Sequence, residues 1–303
     1  MLDPLTDPFA GEIGRRALVE VVLLGVACGP LGVWVILLRH SYAAESVAHA
    51  TLPGLVVAAL VGAPLLLGAA AGLVIAAAAI ALAGREQRIG SDTAVAVAVT
   101  TLFGAGVVLA LQPEVPARLS ELLFGDPLSV TGAEIAVTGA LAAGVASCLA
   151  CLHRPLALAT FDPGAARSLG ARPGFSKLAL LLLLVAATLV AIGALGNLLA
   201  VALTVGPGAS ALQVARHLRS SLALAAVFAV GAGVAGLYAS YYLYVAAGAS
   251  IALAAVTIFG LSALFRRPLR RRRGPRPRQT ALRPSPPLGP TRDRFRPRAR
   301  GLP

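Results

Sequence analysis

The stretch ALVEVVLLGVACGPLGVWVILLRHSYAAESVAHATLPGLVVAALVG, residues 17–62, decides the fold. Residues 17–38 hold one acidic or basic side chain, Glu20, and the run that follows Arg39 and His40 holds only Glu45 and His49. Each run is about 20 residues long, enough for a helix to cross a hydrocarbon core of about 30 Å. Two spans joined by a short basic turn are therefore expected here, and the rest of the chain repeats the pattern.

Apolar runs bounded by charge, Pro or Gly occur at residues 17–38, 43–62, 64–83, 92–111, 132–152, 177–194, 196–213, 221–240 and 246–265. They predict an all-α, polytopic transmembrane bundle of about nine spans embedded in the lipid bilayer. Residues 177–213 are the ambiguous part, because one kinked helix would also fit an apolar stretch interrupted only by Gly193, Gly196, Asn197 and Pro207. Composition excludes a soluble fold: 57% of residues are hydrophobic and 13% charged, against about 25% charged in soluble domains. Ala, Gly and Leu dominate the runs, and small residues let helices approach closely in lipid.

The net charge of +13 looks at first like an affinity for nucleic acid. Its distribution excludes that reading. Up to Phe265 there are 12 basic and 12 acidic side chains, whereas the tail holds 14 arginines against Asp293 alone. The tail, residues 266–303, is also rich in proline and is expected to be disordered and cytoplasmic. It is either a polybasic segment drawn to anionic head groups or a solvated tail that fixes topology. Basic residues concentrate in cytoplasmic loops. With the N-terminus outside, Arg39, Arg85, Arg88, Arg154, Arg167, Arg172, Lys177, Arg216 and Arg219 fall inside, and only Arg15, Arg16 and Arg118 outside. The expected topology is N-out and C-in, with residues 1–16 an extracytoplasmic segment, residues 17–265 the membrane domain and residues 112–131 an outer loop with room for an interfacial helix.

The acidic residues Asp3, Asp7 and Glu12 stand where a signal peptide carries its basic region, so the first run is expected to stay on the protein. Cys148 and Cys151 form a C-x-x-C inside an apolar run, where small buried packing residues are the expected reading. The longest inner loop, residues 153–177, reads HRPLALATFDPGAARSLGARPGFSK. Asp162 and Pro163 open a short segment, Ala165 to Leu169 suit a helical turn or two, and Gly170 suits its end. A short helix there would give a soluble partner a surface to dock on.

Ionisable residues within spans are costly and mark functional sites by default. Glu45 and His49, four residues apart, lie on one face of a helix within reach of one cation. A carboxylate with an imidazole suits first-row divalent metals. The pair equally suits a Glu–His hydrogen bond or a helix-end cap. Glu20, Asp92 and Asn197 are further polar candidates without spacing to choose among them. Pro53 with Gly54, and Pro207 between Gly206 and Gly208, mark expected helix breaks of the kind that line transport paths. No G-x-x-x-x-G-K-[ST] occurs, so ATP is not bound by a P-loop of this chain, and neither G-x-S-x-G nor H-E-x-x-H supplies a hydrolytic centre.

Five segments in order resemble the membrane permeases of the ABC-3 family of metal importers. They are GPLGVWVILLRHSYAAESVAHATLPG, SDTAVAVAVTTLFGAGVVLA, LLFGDPLSV, FDPGAARSLGA and LLAVALTVGPGASALQVAR, spread over residues 17–265. The resemblance implies a transport subunit, itself not an enzyme, in the bacterial inner membrane. It implies a homodimer that works with a cytoplasmic ATP-binding cassette ATPase and an extracytoplasmic solute-binding protein. The cargo would be zinc, manganese or iron, moved by alternating access, with no permanently bound cofactor. Glu45 and His49 would be metal ligands, and Asp162, Ala165, Ala166, Leu169 and Gly170 would couple to the ATPase. The family usually has Asp at the position of Glu45 and Ala at that of Gly208. The other readings are a permease for chelated iron or cobalamin, an ion-coupled secondary carrier without an ATPase, and a membrane enzyme.

Overall fold

A computed structural model describes residues 6–39, 41–83, 91–112, 128, 130–168, 173–195 and 197–271. The basic positions His40, Arg85, Arg88, Arg118 and Arg172, most of the expected outer loop, Leu169, Gly170 and residues 272–303 lie outside it. Among the described residues the secondary structure is entirely helical. The long helices are α1 (Glu12–Leu37), α2 (Ser41–Leu60), α3 (Leu65–Ala83), α4 (Ser91–Ala110), α5 (Gly132–Phe161), α7 (Pro173–Leu195), α8 (Asn197–Val214), α9 (Leu218–Leu243) and α10 (Ala247–Arg271). A short α6 (Pro163–Ser168) follows α5, and a single 3-10 turn, Asp7–Phe9, precedes α1.

Each expected span has its helix, and the stretch 177–213 is two helices, α7 and α8. Glu12–Leu37, Gly132–Phe161, Leu218–Leu243 and Ala247–Phe265 are each long and apolar enough to cross a membrane on described residues alone. Shorter apolar stretches occupy α2, α3, α4, α7 and α8. The ends differ where polar residues extend a helix beyond its apolar part. α1 begins at Glu12, not at residue 17, with Arg16 paired to Glu12 one turn earlier on an exposed face. α5 continues through Pro155 to Phe161 and takes up the first third of the expected inner loop. α10 continues through residues 266–271, which composition had assigned to the tail.

α1 is the hub of the bundle and packs on α5, α7, α8 and α9, while α2 lies between α3 and α4 and also meets α8. One face of α1 (Ala17, Val21, Leu24) joins a cluster with α8, α9 and α10; the other (Cys28, Leu31, Trp34) joins one with α5 and α7. Two close approaches explain the glycine content. A methyl at Gly32 would collide with the Thr204 carbonyl of α8, and one at Gly54 with the Gly68 carbonyl of α3. Backbone against backbone is how helices gain dispersion contacts when lipid is as apolar as their side chains.

Two expectations fail here. Cys148 and Cys151 are exposed on α5 and only Cys28 is buried; in a span the outward direction is apolar too, so an apolar setting does not place a residue inside. The helices are not broken at the prolines either: α2 runs through Pro53 and α8 through Pro207. Proline removes one helical hydrogen bond, and neighbouring helices make that tolerable. Gly208 instead brings α8 onto α1, 2.7 Å separating its would-be methyl from the Gly32 carbonyl carbon.

Candidate metal path and coupling surface

Glu45 and His49 both lie within α2, one helical turn apart. The side chain of Glu45 is outside the described residues. His49 is half-buried and turns towards α4, where its ring stands 4.8 Å from that of Phe103 at an interplanar angle of 59°. One turn further on, a side-chain carbon at Gly106 of α4 would stand 3.0 Å from the Pro53 nitrogen. Contacts 49 to 103 and 53 to 106 rise together, so α2 and α4 run parallel, as two helices separated by one returning span must. Pro53 has no N–H to give to the His49 carbonyl four residues back.

That register bears on the other candidates. Asp92 precedes Phe103 by eleven residues, about 16 Å along α4, and so sits near the N-terminal end of α2 and not beside His49. Its side chain and that of Asn197, the first residue of α8, are outside the described residues. Glu20 is fully buried on α1, where its Oε1 accepts a 2.6 Å hydrogen bond from the Thr138 hydroxyl of α5. Its other oxygen has no hydrogen-bond partner among the described residues. Glu20 thus ties α1 to α5, whereas His49 belongs to the α2–α4 contact. Among the described residues no three His, Cys, Asp or Glu side chains cluster at metal-binding range. Phe103 and Thr138 carry no motif that would have pointed to them.

Residues 153–168 of the expected inner loop are helical but for Asp162. Asp162 ends α5, its N–H reaching the Leu158 carbonyl, and its own carbonyl accepts from Ala166 at 3.0 Å to start α6. Ala166 is fully buried, while Phe161, Asp162, Gly164 and Ser168 are exposed. The result is one short helix anchored on its inner side by Ala166, with Phe161 65% exposed beside it. The side chain of Ala165 lies outside the described residues.

Long apolar helices packed through small residues define a polytopic membrane protein. Residues 11–266 match the ABC 3 transport family, and the chain belongs to that family. It is 35% identical over 252 residues to a manganese transport system membrane protein, MntC, of Halalkalibacterium halodurans, a match covering 83% of this chain and 86% of that one. It is 28% identical over 261 residues to the chelated iron transport system membrane protein YfeD of Yersinia pestis, covering 86% of this chain and 88% of the relative. Among solved structures, PsaBC from Streptococcus pneumoniae in complex with Fab superposes with a TM-score of 0.80 at 27% identity, covering 89% of this chain and 99% of that chain. The protein is accordingly a multi-pass permease subunit of an ATP-binding cassette transporter in the bacterial inner membrane, and ATP hydrolysis belongs to a separate subunit. That excludes the ATPase-free secondary carrier and the membrane enzyme.

Proposed function

We propose that this permease carries manganese or iron as a divalent ion into the cytoplasm, with Glu45 and His49 as ligands in the path. The observation that carries the reading is the placement of both residues one turn apart in the unbroken helix α2, which lies between α3 and α4. Carboxylate and imidazole suit manganese, iron and zinc, so donor chemistry alone leaves the three open. The printed names of the relatives, manganese for one and chelated iron for another, favour the first two. The ion is cargo and not a resident cofactor, and a site with few protein ligands suits cargo, since an ion held too tightly does not leave.

The working unit in this reading is a homodimer with two ATPase subunits on the inner face and a solute-binding protein on the outer face. α6, together with Asp162, Leu169 and Gly170, transmits ATPase movement to the bundle, which alternates its opening. The test is metal accumulation in cells whose other importers are deleted and that express the complete transporter, with manganese, iron and zinc offered separately. Accumulation of manganese or iron is expected. Accumulation of zinc alone overturns the assignment of cargo, and accumulation of none overturns the import reading.

A further inference from the structure

An open apolar groove of about 460 Å³ runs between α1, α5 and α9. That volume is within the roughly 300–1,000 Å³ of ligand sites. Its walls are Val26 and Pro30 of α1, Leu149 of α5 and Leu222 of α9, and small residues such as Ala146 and Ala223 give it depth. All its polarity is at one end, where His153 and Arg219 line it. His153 is fixed there by the buried Trp34, whose ring meets it edge to face at 5.7 Å.

We propose that this groove binds one anionic phospholipid, with the phosphate on Arg219 and His153 and one acyl chain along the apolar walls. The charge is complementary, and three features contribute to it. Arg219 is exposed in the first turn of α9. The N-cap of that helix, His217, makes no side-chain capping bond, and the positive end of the helix dipole, beside Arg219, adds to the attraction for an anion. An arginine guanidinium also offers paired donors to phosphate oxygens.

The length is complementary as well. From Arg219 to Ala226 is seven residues, about 10 Å of helix rise. A hydrocarbon core about 30 Å thick gives each leaflet about 15 Å. The groove therefore spans most of one leaflet and ends before the midplane, as fits an acyl chain entering from one side. His153 and Arg219 lie where α5 and α9 leave their apolar portions, which is the depth of a head group. Neither residue belongs to the proposed metal path or to α6.

The test uses the full-length protein purified in mild detergent with its ATPase, given an equimolar mixture of phosphatidylglycerol and phosphatidylcholine and examined by native mass spectrometry. Wild type should retain phosphatidylglycerol in preference. Arg219→Gln should lower that retention about tenfold, the ratio given by losing about 1.4 kcal/mol, and Ala223→Phe, which fills the groove, should lower it for both lipids. Should a variant fail to fold, photolabelling of wild type by phosphatidylglycerol with a photoreactive acyl chain gives an independent answer, with label expected on peptides holding Leu149 and Leu222. Equal retention of the two lipids by wild type, unchanged retention in folded Arg219→Gln, or label confined to other helices would each overturn the proposal.

Discussion

Thr138 of α5 gives its hydroxyl hydrogen to Oε1 of Glu20 on α1 across 2.6 Å, and both side chains are buried. This bond joins the hub helix to the longest helix of the bundle. Removing its donor leaves a buried carboxyl with no partner among the described residues, which costs about 1–3 kcal/mol. Thr138→Val should therefore lower the thermal midpoint of the purified protein in detergent. Glu20→Leu combined with Thr138→Val removes both polar groups and should recover most of the loss. A Thr138→Val protein as stable as wild type would show that the bond contributes nothing.

The glycine contacts predict opposite signs at two positions. Gly32→Ala presses a methyl into the Thr204 carbonyl, so α1 and α8 must part at a cost of about 1–3 kcal/mol. Gly231 of α9 has open space around it, and Gly231→Ala should stabilise by up to about 1 kcal/mol through helix propensity alone. Thermal melts of the two variants decide it.

α5 is capped by a reciprocal pair. The Glu134 N–H donates to Thr131 Oγ1 at 3.3 Å, and the Thr131 N–H donates to Glu134 Oε2 at 2.7 Å. Thr131→Ala should cost about 1 kcal/mol, and Thr131→Ser should cost little. Hydrogen exchange in the first turn of α5 is the local readout, rising in the alanine variant only.

At Phe161, loss of an ATPase contact is separable from loss of folding. Phe161 is exposed at the end of α5, so Phe161→Ala removes little internal packing. It should weaken co-purification of the ATPase while the permease keeps its melting temperature. Ala166→Asp, at a fully buried position, should abolish co-purification. Undiminished co-purification with both variants would place the ATPase contact elsewhere.

The helices were legible in the sequence because crossing a bilayer fixes their length. Residues 177–213 show where that stops: apolar content alone allowed one helix, and the chain forms two, α7 described to Leu195 and α8 from Asn197. The neighbours of each helix were not legible. A soluble helix shows its inner face by a polar stripe on the other. Here both faces are apolar, so nothing in the spacing separates exposed Cys148 from buried Leu149 on α5. For the same reason Glu45 and His49 were visible as a pair on one helix, while Phe103 beside His49 and Thr138 beside Glu20 were not. Pro53 and Pro207 misled because proline signals a break in water, whereas in a packed bundle the helices run through it.

In the proposed path the His49 imidazole touches the ion in transit. ATP-driven manganese uptake by proteoliposomes holding the complete transporter tests it most directly, comparing wild type with His49→Ala and checking on the same vesicles that the ATPase remains bound. Uptake should fall to background for His49→Ala with ATPase association intact. Uptake equal to wild type would contradict it and leave His49 as a packing partner of Phe103.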